Sequence, residues 1–183
     1  MRTCAEEDLL TRIRAGDPAS LEELYARTRD RLFTVLRRLG ADPATAEDLV
    51  HEVYLRVWTH RERLPEIGSP LSYLCAMARN LWKNLCEHRG FLRRMLDRLA
   101  HRKRAPHAVA VPIEREDVDR ALATLDADPR EVFVLHRFGG LSYREIADAQ
   151  GVSIKTVEAR MNRAFNGLRT CLRSRLEIER TDS

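Results

Sequence analysis

The segment LSYREIADAQGVSIKTVEARMNRAFNGLR, from Leu141 to Arg169, is the feature that most constrains the fold. Ser142 and Glu145 stand three residues apart before an apolar run, which is the spacing of a capping box that begins a helix. Gly151 supplies a left-handed turn residue, and Ser153 can cap a second helix. The segment therefore predicts two helices joined by a tight turn.

The second predicted helix has one apolar face and one polar, basic face. The apolar stripe, predicted to be core, is Ile154, Val157, Met161, Ala164, Phe165 and Leu168. The outer face carries Lys155, Thr156, Ala159, Arg160, Asn162, Arg163 and Asn166. Donors and small groups of this kind suit phosphates and base edges, so the pattern indicates a DNA-binding helix-turn-helix. The alternative is an ordinary helical hairpin whose arginines form a solvated face.

Helix starts recur along the rest of the chain as a capping residue followed by proline. The four sites are Asp17-Pro18, Asp42-Pro43, Ser69-Pro70 and Asp128-Pro129, and the predicted stops are Gly16, Gly40, Gly90 and Gly139-Gly140. The predicted helices cover residues 4–15, 18–39, 43–61, 70–89, 115–124, 129–138, 142–149 and 153–174. No strand pattern competes, so we expect an all-α fold.

The length of 183 residues, with 44% hydrophobic content, allows one medium core or two small ones. His101 to Pro112, HRKRAPHAVAVP, has two prolines and no amphipathic period, which favours a flexible linker. We therefore predict a helical domain at 1–100, a linker at 101–112 and a four-helix domain containing the helix-turn-helix at 113–183.

The charge pattern favours a polyanionic partner, although the formal net charge is only +4. Arg89 to Arg104 holds seven arginines or lysines against one acid, Asp97, and forms either a solvated helix end or a backbone-contacting patch. Met1 to Gly16 is charged, and no run of eighteen apolar residues occurs, so a cytoplasmic chain without membrane insertion is expected. The four cysteines form no CxxC pair, which predicts buried, reduced thiols.

The predicted helix over 43–61 presents acids on a chain that is otherwise basic. Its buried stripe is Ala46, Leu49, Val50, Val53 and Val57, and its other faces carry Glu47, Asp48, His51, Glu52, Tyr54 and Trp58. An acidic face repels phosphate and suits a protein partner better than DNA. A merely solvated face is the alternative, and a metal site at Asp48, His51 and Glu52 lacks a second ligand cluster.

The predicted helix over 70–89 has a polar strip opposite its apolar side. Leu71, Leu74, Cys75, Ala78, Leu81 and Leu85 are expected to face inward, and Tyr73, Met77, Asn80 and Asn84 form the opposite strip, with Arg79 and Lys83 beside it. An aromatic ring, amides and bases suit unstacked bases and backbone phosphates. A polar outer face is equally ordinary on a surface helix.

Three segments together resemble the extracytoplasmic function sigma factors of the sigma-70 family. They are EDLVHEVYLRVW, SYLCAMARNLWKN and PREVFVLHRFGGLSYREIADAQGVSIKTVEARMNRA, in the family's order and over nearly the whole chain. The resemblance implies a promoter-recognising subunit of RNA polymerase, without catalytic activity, cofactor, metal or small-molecule substrate. SIKTVEARMNRA is similar to the branch linked to iron-uptake signalling.

The resemblance also implies site residues. The helix carrying Glu47, Asp48, His51, Glu52, Tyr54 and Trp58 would dock on the clamp helices of the largest polymerase subunit, and the flap region is a second expected contact. Minus-ten recognition would fall to the helix Tyr73 to Arg89 and the preceding turn His60 to Ser69, through Arg61, Tyr73, Arg79, Asn80, Lys83, Asn84 and Arg89. Minus-thirty-five recognition would fall to Ser153, Lys155, Thr156, Ala159, Arg160 and Arg163.

Four positions depart from the family's common residues and put the promoter sequence in question: His51, Tyr73, Lys155 and Glu158. Because the chain has no sensory domain, we expect a separate anti-sigma protein. A helix-turn-helix repressor or activator is the alternative function, but it needs a dimer seam and the chain has no heptad stretch. No Ser/His/Asp set, glycine-rich nucleotide loop or metal spacing supports an enzyme.

Overall fold

The computed structural model describes the backbone of residues 3–64, 69–100 and 116–181, and the side chains over 9–64, 69–90 and 118–171. Within these residues the fold is all-α, as predicted, and contains no strand. The helices are α1 (Thr3–Arg14), α2 (Pro18–Leu39), α3 (Pro43–Thr59), α4 (Pro70–Ala100), α5 (Glu116–Ala123), α6 (Ala127–Arg137), α7 (Tyr143–Gln150) and α8 (Ile154–Thr181), with a short 3₁₀ turn at Arg61–Arg63.

The chain divides into two compact units, Met1–Val111 and Pro112–Ser183. The first contains α1 to α4, with α2 packed against α1, α3 and α4, and the second contains the predicted four helices, with α8 packed against α5, α6 and α7. The predicted linker at 101–112 lies outside the described residues. None of the described helices is both long enough and apolar enough to cross a membrane.

Aspartate caps begin two helices of the first unit as the sequence predicts. The Asp17 carboxylate accepts hydrogen bonds from the Ala19 amide at 3.1 Å and the Ser20 hydroxyl at 2.5 Å. The Asp42 carboxylate accepts from both the amide, at 2.9 Å, and the hydroxyl, at 2.7 Å, of Thr45. These bonds favour the ionised form, and they lower the pKa of each carboxyl.

Several predicted helix boundaries were wrong. Helix α8 continues to Thr181, beyond the predicted end at 174, and α3 ends at Thr59, before the predicted end at 61. Helix α4 does not stop at Gly90 but continues to Ala100, because a glycine ends a helix only where it turns to positive φ, as Gly40 does at 109°. Helix α6 begins at Ala127, two residues before the predicted start at 129, and its N-cap is Asp126 rather than Asp128. Pro129 then stands third in the helix, where its missing N–H has no intrahelical acceptor to lose.

The three cysteines that the structure describes are free thiols, as expected. Cys75 is buried, and burial raises its pKa to about 12. The expectation that all are buried was wrong, since Cys86 is exposed and Cys171 is half-buried. Cys86 lies one position beyond Leu85, on the outer side of α4.

Candidate functional site

Helix α3 exposes an acidic face because its apolar stripe is buried in the first unit. Ala46, Leu49, Val50, Val53 and Val57 are all buried, which confirms the predicted core. Glu47, Asp48 and His51 are exposed. Glu52 is half-buried and accepts a hydrogen bond from Arg56 Nε at 2.6 Å, one helical turn on. Glu47 and Asp48 have no such arginine partner among the residues whose side chains the structure describes, so the negative potential of the face comes mainly from its N-terminal half.

Leu55 is a member of this face that the sequence analysis missed. Its side chain is 61% exposed, and it lies seven residues after Asp48 and three after Glu52, so all three share one side of α3. The groove beside it, of about 500 Å³, is lined by Glu52, Leu55, Arg56, Thr59, His60, Tyr73 and Met77. The signal was present in the sequence, as an apolar residue at helical spacing among acids.

Tyr54 was expected on the surface of α3, but it lies in the core. Only 5% of it is exposed, its ring packs edge-on against Tyr25 with centroids 4.8 Å apart, and its hydroxyl hydrogen-bonds Thr28 Oγ1 at 2.7 Å. Burial raises the pKa of Tyr54 to about 12. It lies four residues after Val50 and therefore turns with the apolar stripe into the α2 interface.

Trp58 closes the C-terminal end of α3 together with Arg61. The Arg61 guanidinium carbon lies 4.8 Å from the Trp58 ring centroid, which is within cation–π range. Arg61 Nη1 also donates to the Trp58 carbonyl at 3.0 Å. Both side chains are half-buried, so Arg61 is held against the helix end at the start of the predicted minus-ten turn. Residues 65–68 of that turn lie outside the described residues.

Helix α4 presents most of the predicted polar strip. Leu74, Cys75, Ala78 and Leu81 are buried, and Leu71 and Leu85 at the two ends are half-buried. On the other side Asn80, Lys83 and Asn84 are exposed, and Tyr73 and Met77 are half-buried. The Lys83 ammonium lies 3.8 Å from Glu87. The strip therefore offers two amides and an ammonium to solvent, beside a partly covered aromatic ring.

Arg79 was expected beside this strip, and that expectation of exposure was wrong. Only 7% of it is exposed, and its Nη1 donates to Asn80 Oδ1 at 2.9 Å. The position follows from helical geometry, because Arg79 lies four residues after the buried Cys75. Arg89 is exposed, as expected, and its Nη2 donates to Thr45 Oγ1 at 3.4 Å.

The predicted helix-turn-helix is present in the second unit. Ser142 Oγ accepts from the Glu145 amide at 3.2 Å and Glu145 Oε2 accepts from the Ser142 amide at 2.7 Å, which completes the capping box. Gly151 ends α7 in the left-handed conformation, at φ 66°. Ala147 and Val157 are both buried, so a small residue and an apolar one fill the angle between α7 and α8 as predicted.

The start of α8 exposes most of the residues expected to meet DNA. Ser153, Lys155, Ala159 and Arg163 are exposed, and Thr156 is half-buried. Ser153 Oγ accepts from the Thr156 amide at 3.2 Å, which caps the helix. The Thr156 hydroxyl lies 2.9 Å from the same Ser153 oxygen, so its orientation is tied to the cap.

Two members of the predicted apolar stripe of α8 are exposed rather than buried. Val157, Met161, Ala164 and Leu168 form the core, but Ile154 and Phe165 are exposed. At about 100° per residue both lie on the same edge of the stripe, roughly 50 to 70° from its centre. Phe165 packs edge-on against Phe133 of α6, with ring centroids 5.7 Å apart. The exposed pair forms an apolar margin beside the basic face.

Arg160 flanks the opposite edge of the stripe, and protein groups hold its guanidinium. Nη1 donates to Gln150 Oε1 at 2.7 Å, and Nη2 donates to Asp128 Oδ2 at 2.5 Å. Gln150 Nε2 in turn donates to Glu131 Oε1 at 2.6 Å. With 21% of its side chain exposed, Arg160 is less free than the sequence suggested. Asp128, Gln150 and Glu131 were not predicted to take part.

Comparison with known families matches both units. The model described as Sigma-70 region 2 matches residues 24–105, and the model described as Sigma-70, region 4 matches residues 115–166. The ECF RNA polymerase sigma factor SigK of Mycobacterium tuberculosis strain H37Rv is 30% identical over 171 residues, covering 90% of this chain and 91% of that protein. This chain belongs to the extracytoplasmic function sigma factors. It is a promoter-recognising subunit that binds RNA polymerase.

Other relatives and solved structures agree with this family. SigK of Mycolicibacterium vanbaalenii is 27% identical over 186 residues, covering 93% of this chain and 90% of that protein. CnrH, solved in complex with the cytosolic domain of CnrY, is 25% identical with a TM-score of 0.68, covering 93% of this chain and 98% of that chain. The sigma factor RpoE from Bartonella quintana, solved with the anti-sigma factor NepR, is 24% identical with a TM-score of 0.67, covering 83% and 96%; this second likeness concerns the fold.

The described residues contain no group of three or more histidines, cysteines or acids that could hold a metal ion. Asp48, His51 and Glu52 of α3 do not form such a group. The iron-uptake branch stays a prediction.

Burial of Tyr54 leads to a testable separation of stability from polymerase binding. Tyr54→Phe removes the bond to Thr28 and should lower the free energy of unfolding by about 1 kcal/mol, with unchanged affinity of the sigma factor for core polymerase. Thr28→Val is the companion variant. It also removes the hydrogen bond from Thr28 Oγ1 to the Leu24 carbonyl, at 2.6 Å, and leaves the buried Tyr54 hydroxyl without this partner, so it should show a larger loss in chemical denaturation. The double variant should lose less than the sum. Weaker core binding at unchanged stability in Tyr54→Phe would contradict this assignment.

Proposed function

We propose that the sigma factor divides its tasks among three exposed helix faces. The acidic face of α3 docks on the clamp helices of the largest polymerase subunit, the outer strip of α4 binds the minus-ten element, and the start of α8 reads the minus-thirty-five element. The domain at 1–100 docks on core polymerase and binds the minus-ten element, the linker at 101–112 connects the two domains, and the domain at 113–183 reads the upstream element. The flap region of core polymerase is a second proposed contact of the chain. The proposal is supported chiefly by charge, since acids face outward on α3 whereas bases do so on α8.

The docking surface combines charge with one apolar contact. Asp48 and His51 are exposed beside Leu55, most of whose side chain is also exposed. Protein interfaces are typically centred on an apolar contact with charged groups at the rim. Desolvation of Leu55 would supply affinity, and the acids would steer the approach of a basic partner surface.

Charge reversal tests this docking surface. Asp48→Lys with Glu52→Lys should abolish holoenzyme assembly, since losing charge contacts of this kind costs about 2 to 5 kcal/mol. The single variant Leu55→Ala leaves the charge unchanged and should still weaken holoenzyme assembly. Each effect is measured as the affinity for purified core polymerase, with helicity checked by circular dichroism.

The matched control for charge reversal is Glu22→Lys with Asp30→Lys. It makes the same change in net charge at exposed positions of α2. The control should bind core polymerase normally. Wild-type affinity in the Asp48/Glu52 variant, or an equal loss in the control, would contradict the assignment of the α3 face.

The minus-ten surface is proposed from the side chains that α4 leaves accessible. Asn80 and Asn84 can hydrogen-bond the edges of unstacked bases, and Lys83 can approach a phosphate. Tyr73 offers part of its ring to the groove shared with α3. Arg61, which is held on Trp58, and Arg89 are further candidates for this surface. The buried Arg79 donates to Asn80 and is proposed to support it rather than to meet DNA.

The minus-thirty-five surface is proposed from the N-terminal half of α8, the part that enters the major groove in this docking mode. Thr156, Ala159 and Arg160 are the candidates for base edges. Ser153, Lys155 and Arg163 are the candidates for phosphates. Arg163 has no hydrogen bond or ion pair to any residue that the structure describes, so it can follow the DNA backbone, whereas Arg160 is held in place.

Arg160 and Arg163 are therefore expected to differ when each is replaced by alanine. Arg160→Ala should cost about 1 to 3 kcal/mol at a matched promoter and relax selectivity at one or two positions of the upstream element. Arg163→Ala should weaken every promoter similarly and lower the salt slope by about one unit. Transcription from a promoter library by reconstituted holoenzyme measures both. An unchanged upstream-element preference in Arg160→Ala would defeat its assignment as a base reader.

A separate anti-sigma protein is proposed to control the chain. CnrH was solved with the cytosolic domain of CnrY, and RpoE with the anti-sigma factor NepR. This chain exposes Leu55, Ile154 and Phe165 beside the proposed polymerase and DNA surfaces, and such apolar groups suit a partner that covers them. Because its proposed work is done on RNA polymerase and promoter DNA, the chain is proposed to act in the cytoplasm.

Affinity capture of the tagged full chain from native cells tests this control. The expected result is a protein other than a polymerase subunit that, once purified, blocks assembly with core polymerase. Leu55→Ala should weaken the binding of that protein, because the two partners share the α3 face. Recovery of polymerase subunits alone, under inducing and non-inducing conditions alike, would contradict the proposal.

A further inference from the structure

Arg160 is the member of the proposed upstream-element surface whose side chain is held by two other helices. Asp128 belongs to the first turn of α6, Gln150 is the last residue of α7, and Arg160 lies in the second turn of α8. The bonds from Arg160 to Gln150 and to Asp128 span 10 and 32 residues of sequence. Together they tie the guanidinium to two of the three helices on which α8 packs.

The geometry leaves Arg160 able to bind DNA while it is held. A guanidinium has five N–H donors in a rigid plane, and the two bonds to Gln150 and Asp128 use one donor on each terminal nitrogen. A bidentate contact to a guanine edge needs two more donors. Three donors remain, so the bonds to Gln150 and Asp128 do not use up the hydrogens that a contact to a guanine needs.

The Asp128 bond restricts the orientation of that plane. Asp128 is 62% exposed, so its ion pair alone contributes little to stability. Its geometric effect is larger, because two acceptors on different helices fix a planar group more narrowly than one does. Gln150 is itself oriented by Glu131, at 2.6 Å. Arg163, which is exposed on the same helix, has no comparable support in the described residues.

We infer that Asp128 and Gln150 are positioning residues that set the specificity of Arg160 for one position of the upstream promoter element. They act through the arginine and not on DNA themselves. This inference rests on the proposed function of Arg160 as a base reader. It adds that selectivity depends on residues outside the recognition helix, on α6 and at the end of α7.

The test compares promoter selectivity in reconstituted holoenzyme across single and double variants. Asp128→Ala should reduce the ratio of matched to mismatched transcription by about three- to tenfold, at the same positions that Arg160→Ala affects. Gln150→Ala should act at those positions too. A ratio is used because removing an acid near DNA raises binding to every sequence, and that uniform effect cancels. Asp148→Ala, which removes an exposed acid from α7, is the matched control.

The double variant Asp128→Ala/Arg160→Ala distinguishes positioning from a general structural role. It should show the profile of Arg160→Ala and no further change, while thermal unfolding shows that Asp128→Ala remains folded. Two results would overturn this inference while leaving the proposed function intact. One is a uniform change in transcription like that of Asp148→Ala, and the other is an equal change in selectivity when Asp128→Ala is added to Arg160→Ala. If Arg160→Ala itself leaves the profile unchanged, Arg160 does not read bases, and the inference fails together with that part of the proposed function.

Discussion

Burial of one apolar stripe on each helix is the constraint on which both units depend. With few aromatic residues, the chain builds its cores from leucine, valine and alanine, and each helix must turn one side inward to contribute. That requirement decides which side faces out. Val50, Val53 and Val57 point into the first unit, so Asp48 and Leu55 must point away from it. In the second unit Val157 and Met161 point into the core, so Arg163 points away from it.

Much of this could be predicted from the sequence, because its signals are local. Capping at Asp17, Asp42 and Ser142 involves atoms within a few residues of each other, and so does the left-handed turn at Gly151. Helical periodicity was equally reliable at the centre of each stripe. These signals were sufficient for the all-α class, for most helix starts and for the family, because the motifs that carry the resemblance lie on the helices that periodicity identifies.

The wrong predictions of burial concern side chains whose environment depends on a neighbouring helix. Tyr54 sits at the edge of its stripe, and only the position of Tyr25 and Thr28 on α2 makes it buried. Arg79 is polar, yet its place one turn after Cys75 puts it on the buried side of α4. Ile154 and Phe165 occupy a margin that the described neighbouring helices cover only in part. Periodicity gives the direction in which a side chain leaves its own helix. It does not show how far a neighbouring helix covers that side chain.

Arg160 belongs to the same class, and it bears on function. The sequence places it correctly on the outer side of α8, but its partners come from residues 10 and 32 positions away. A recognition helix is therefore supported by the helices that position it. This arrangement is consistent with the general requirement that side chains making specific contacts be held by a second set of residues.

Start-site mapping with purified components tests the central claim most directly. Core polymerase alone and core polymerase with the full chain would each transcribe fragmented genomic DNA, and the new 5′ ends would be sequenced. The account predicts a limited set of start sites that appear only with the chain and share both an upstream and a downstream element. The same start sites with and without the chain, at a concentration where holoenzyme forms, would contradict it.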